Sequence, residues 1–161
     1  MDLAVIRPDE QNLALFVHVL GALALVGATV YATTSLAAAW RGGSLTATRA
    51  GYRALLVGVI PAWFVMRIGA QWIADKEGFV DLDDPPAWID IGFITAEPFL
   101  LLVIIATVLA GLAVRRAGRD GRTDHAGGDA PSVGVRVAAG LTGFTLLAYL
   151  VALWAMTTKP E

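Results

Sequence analysis

Four long apolar blocks, Leu13–Trp40, Ala54–Ala74, Ile91–Val114 and Val137–Met156, leave this chain little choice of fold. Each reaches the roughly 20 apolar residues that a helix needs to cross about 30 Å of hydrocarbon. In lipid a spanning segment must pair its own backbone N–H and C=O groups, which makes such blocks helices. A helix of a water-soluble bundle carries a polar stripe. The stretch "LLLVIIATVLAGLAV" (100–114) has no polar side chain besides Thr107. Only 16% of the 161 residues are charged, against about 25% in ordinary soluble domains. The reading is all-α: a four-transmembrane-helix antiparallel up-and-down bundle, one integral membrane domain over 1–161. Helices are expected at about 12–40, 53–75, 85–116 and 134–157, with a mobile cytoplasmic loop at about 117–133.

The connectors orient the bundle. "RGGSLTATRAGYR" (41–53) holds Arg41, Arg49 and Arg53 and no acid. The connector 115–136 holds Arg115, Arg116, Arg119, Arg122 and Arg136. From Asp75 to Asp90 there is one base, Lys76, among acids. Arginines next to membrane helices mark the cytoplasmic side. Both Arg-rich connectors are therefore expected inside, and both termini and the acidic loop outside the plasma (inner) membrane of a bacterial cell. Asp84 followed by Pro85 and Pro86 signals a helix start. Pro61 and Pro98 fall inside blocks and are expected to bend their helices. Trp40, Trp72, Trp88, Trp154 and Tyr52 fall near the presumed interfaces, as belt residues do.

The chain has no Cys, which excludes disulfides, thiolate catalysis and Cys-ligated metals. It has no phosphate-binding glycine loop and no nucleophile–base set, so hydrolytic chemistry is disfavoured and no nucleic-acid partner is expected. Whether any reaction is catalysed stays open. The lipid bilayer is the first partner; a second copy or another membrane protein is compatible with the apolar faces.

Within the blocks, three groups stand out. His18, Arg67 and Glu97 each lie roughly 10–12 Å along a helix from an outer polar residue, at 1.5 Å per residue. An unpaired Arg or Glu in hydrocarbon costs upwards of about 2.5–3.5 kcal/mol on insertion scales. Arg67 and Glu97 are therefore expected to pair, with His18 nearby. Trp63 and Gln71 lie one turn either side of Arg67, offering a ring face and an amide. The fourth helix brings Thr145, Tyr149 and Trp154 to a similar level. The candidate ligand-binding set is His18, Trp63, Arg67, Gln71, Glu97 and Tyr149, with no metal ligand set. Three readings of the charges remain: a lock on helix register, an Arg67 that snorkels to the acidic loop, or a polar site for a small molecule or redox cofactor.

The stretch "LFVHVLGALALVGATVY" (15–31) resembles the first helix of a broad group of small bacterial membrane proteins, with a His in the outer half and small residues spaced behind it. The group includes integral membrane proteins of unknown function, copper-resistance-D-like proteins and the four-helix membrane protoporphyrinogen oxidases. In the last family a first-helix His is implicated in haem binding, a role that the resemblance places on His18. The likeness covers one helix of four, and this chain has no second intramembrane His and no intramembrane Lys. Haem and quinone are the cofactors left open.

Overall fold

A computed structural model describes residues 9–78, 87–120 and 132–158 of the protein. Helix α1 runs Asp9–Gly42, α2 Leu45–Arg53, α3 Ile60–Glu77, α4 Ala87–Arg119 and α5 Val133–Thr158. A π-helical stretch, Ala54–Val59, joins α2 to α3. The four membrane crossings are thus α1, the continuous α2–π–α3 rod, α4 and α5. Pro85, Pro86 and 121–131, including His125, lie outside the described residues, as do the side chains of Trp88 and Asp90.

Local chemistry sets the joints. Gly43, at φ 64°, takes the left-handed turn that ends α1. Ser44 then caps α2, its hydroxyl accepting from the Ala47 N–H at 3.1 Å. The second crossing accordingly begins at Leu45, ahead of its apolar block. On α2, Leu45, Thr48 and Gly51 are buried while Thr46, Arg49 and Arg53 are exposed. Farther along, Pro61 cannot donate to the Val57 carbonyl and its ring crowds that turn. The helix widens over Ala54–Val59 and Pro61 enters the first turn of α3. Helix α4 continues through Pro98.

The bundle is small inside and large outside. Ala32, Leu36, Leu55, Val59, Ala106 and Ala138 are sealed in the core. Phe16, Leu23, Ile68, Ile94 and Leu147 are more than 60% exposed. In water such faces would be a large sticky patch; in a bilayer they meet acyl chains, and small interior residues let helices approach closely. The crossings are 31, 33, 24 and 26 residues long. At 1.5 Å per residue each exceeds about 30 Å, and the longest reaches roughly 50 Å.

Helices α1 and α3 approach closely at two glycines. A Cβ on Gly69 would stand 2.7 Å from the His18 Cα, and one on Gly21 would stand 2.7 Å from the Met66 Cα. Only glycine fits at both points, so the backbone of α1 at His18 and Gly21 lies against that of α3 at Gly69 and Met66.

Candidate site: a split polar cluster at the terminal end of the bundle

The expected charge pair forms. The Arg67 Nη2 donates to the Glu97 Oε1 at 3.4 Å, joining α3 to α4. Its Nη1 donates to the Gln71 Oε1 at 3.0 Å, and the Gln71 Nε2 donates to the Asp75 Oδ1 at 3.0 Å. A polar strip thus climbs α3 turn by turn toward the end where α1 begins and α5 ends. The Glu97 side chain is 68% exposed and that of Arg67 21%. The α4 rod, at 33 residues, overshoots the hydrocarbon by roughly 10 Å at each end when centred in the bilayer. Glu97, ten residues from the Ala87 end, then sits roughly 15 Å along α4, near the headgroup boundary where water and polar lipid reach it.

Trp63 braces the same two rods. It is buried, and its indole Nε1 donates to the Ala96 carbonyl at 2.9 Å. Phe64 meets its ring edge-on at 5.1 Å between centroids. The indole N–H therefore ties α3 to α4 one residue from Glu97.

His18 points elsewhere. Its Nδ1 lies 3.0 Å from the Met66 carbonyl oxygen. A carbonyl only accepts, so Nδ1 is the donor and Nε2 is the nitrogen left for another partner. Beside it, a cavity of about 60 Å³ opens between the four crossings. His18, Leu25, Met66, Ala96, Tyr149 and Met156 are among its walls; Trp63, Arg67, Gln71 and Glu97 are not. Tyr149 is 6% exposed, and its hydroxyl finds no partner among the described residues. The Tyr149 ring leans on Phe99, with centroids 6.3 Å apart. Trp154, expected at the same level, turns outward and is 60% exposed.

The six candidate residues thus fall into two places. His18 and Tyr149 share the cavity. Arg67, Gln71 and Glu97 form the strip on the outer groove between α3 and α4, and Trp63 braces that groove. Depth along each helix foretold the levels; rotation about the helix axes separates the groups.

A further set of hydroxyls lies below the cavity. Helices α1 and α5 run antiparallel, with Thr33 against Gly143 and Trp40 against Arg136. Down that seam Tyr149, Thr29, Thr145, Thr33 and Thr142 follow one another, with roughly 1.5–3 Å of rise per step. The hydroxyls of Thr29 and Thr142 return to their own helices, at 2.6 Å to the Leu25 oxygen and 2.9 Å to the Ala138 oxygen. Those of Thr33 and Thr145, like that of Tyr149, are buried without a partner among the described residues. Leu36, Leu55, Val59 and Val103 are fully buried in the same interior. The sequence signal was present: Thr142, Thr145 and Tyr149 are spaced three and four, and Thr29 and Thr33 four.

Fold and site together define a multi-pass, four-helix α-helical membrane protein whose apolar faces contact the bilayer. Comparison with known proteins finds no matching family model, no similar curated protein and no similar solved structure. The cavity, about 60 Å³, is far smaller than a haem macrocycle, although the bond from the His18 Nδ1 to a backbone carbonyl is one that metal-ligating imidazoles also make. Among the described residues, no three His, Asp or Glu side chains gather to hold a metal ion.

Proposed function

We propose that this membrane protein binds a small, mainly apolar molecule carrying one hydrogen-bonding end, in the cavity between its four helices. The observation that carries the reading is the buried Tyr149 hydroxyl, without a partner among the described residues, at a cavity shared with the His18 imidazole. An unsatisfied buried hydroxyl is costly in a protein interior. A ligand carbonyl would accept from Tyr149, and a ligand hydroxyl would donate to the His18 Nε2. A quinone head offers carbonyls that accept from Tyr149, while a quinol or a lipophilic alcohol offers a hydroxyl that can accept from Tyr149 and donate to His18. Met66 and Met156 supply adaptable apolar walls.

In this reading the cavity end faces outward, and both Arg-rich connectors, at the opposite end, face the cytoplasm of a bacterial cell. Lipophilic extraction of the protein purified in mild detergent tests the binding role. The extract, resolved by chromatography with absorption detection, should contain one enriched apolar species. That species should be depleted when Tyr149→Phe is purified alongside. Equal extracts from parent and variant would refute the role.

A second reading has its own observation. Arg67 and Glu97 lie outside the cavity, and Glu97 is 68% exposed. That placement suits a lock on helix register in a non-catalytic membrane subunit or scaffold, with the exposed faces left for a second copy or a membrane partner.

A further inference from the structure

The opposite end of the bundle carries a second site. Arg41 closes α1, and Arg49 and Arg53 lie on α2. Arg115, Arg116 and Arg119 end α4, and Arg136 opens α5. All seven are exposed, and none makes an ion pair with any described residue. Among the described residues the only acid at that end is Asp120. The first turn of α5 holds no acid to meet its positive dipole end.

This charge is not spread over a featureless rim. The Arg136 guanidinium stands over the Trp40 ring, its Cζ 5.7 Å from the centroid, which bridges α5 and α1. Arg41 is the next residue of α1. On α5, Val133 is 72% and Val137 43% exposed, and Trp40 is 43% exposed. The Arg136 guanidinium therefore stands on an exposed apolar seam at the bilayer boundary, with the exposed Arg41 at the same level of α1. Guanidinium forks match phosphate oxygens, and an apolar surface beneath them matches an acyl chain. Basic groups between membrane helices at this level suit anionic lipid headgroups.

We propose that the seam at Trp40, Arg41 and Arg136 binds the phosphate headgroup of an anionic phospholipid, with the arginines of α2 and α4 widening the attractive field around it. The field is screened by salt.

The test uses the whole protein in mild detergent, doped with phosphatidylglycerol or with phosphatidylcholine of the same chains. Retained lipid is counted by native mass spectrometry, and stability is followed by thermal melting. Phosphatidylglycerol should be retained in preference and should raise the melting temperature more, and both effects should shrink as salt rises. Arg41→Gln with Arg136→Gln should lower its retention by about fivefold per arginine removed. Arg115→Gln with Arg116→Gln, which touches no ring, should shift it in the same direction. Lys76→Gln, at the other end of the bundle, should leave it unchanged. Equal retention of the two lipids, or full retention in the first double variant, would overturn the proposal. Glycerol phosphate raising the melting temperature as much as the lipid would overturn the commitment to a lipid.

Discussion

The His18 Nδ1 donates a hydrogen bond to the carbonyl of Met66, 3.0 Å away, where Gly21 and Gly69 let the backbones of α1 and α3 touch. That contact aims the imidazole at the cavity and fixes which ring nitrogen stays free. Gly69→Ala would place a methyl 2.7 Å from the His18 Cα. Overpacking of this kind costs about 1–3 kcal/mol, read as a lower melting temperature in detergent. Gly27→Ala, with nothing within 4 Å, should be neutral or slightly stabilising, since Ala is the better helix former.

The buried hydroxyls separate stability from binding. Thr145→Val removes a hydroxyl that has no partner among the described residues and keeps its shape, so stability should hold or rise. Thr142→Val loses the bond to the Ala138 oxygen at 2.9 Å and should cost up to about 1 kcal/mol. Tyr149→Phe should leave stability unchanged or higher. Thermal melts of the three variants side by side check the order.

Arg67 and Glu97 test the register lock. Their contact is 3.4 Å and Glu97 is largely exposed, so Glu97→Gln should cost no more than about 1 kcal/mol. Arg67→Glu should cost more, because it adds a further carboxylate to the groove that already holds Asp75 and Glu97. Adding Glu97→Arg should restore part of the loss. A double-mutant cycle of melting temperatures with zero coupling would show that the pair does not set register.

Orientation is read with thiol labels, since the chain has no Cys of its own. Thr157→Cys, at the terminal end of α5, should react with an impermeant maleimide on intact cells. Thr46→Cys, on α2, should react only after lysis. The reverse pattern would invert the topology.

Much of this architecture was legible from residue counts. Long apolar blocks have one stable solution in lipid, so the four crossings followed from their lengths. Depth was legible too, since a fixed rise per residue put Arg67 and Glu97 level, and they meet. Rotation was not. His18 turns to Met66 because Gly69 and Gly21 admit a close backbone contact, which one helix's sequence does not reveal alone. Trp63 was expected to offer its ring to Arg67; the bond of its indole N–H to the Ala96 carbonyl was not foretold, because it depends on where α4 packs. The polar segment 45–53 read as a connector, because its buried side holds only Leu45, Thr48 and Gly51. The cavity depends on how Tyr149, Met66 and Met156 fill space against one another, which residue spacing does not encode.

The most direct measurement of the binding role is titration of a short-chain quinone into the purified protein, followed by quenching of tryptophan fluorescence. Trp63 is within reach of the site, since its indole bonds Ala96, a residue of the cavity wall. The parent protein should show saturable quenching. Tyr149→Phe should bind about tenfold more weakly, the loss of one hydrogen bond to a buried group, with the melting temperature unchanged. The parent and Tyr149→Phe giving the same Kd, or quenching that rises linearly without saturation in both, would contradict the binding role.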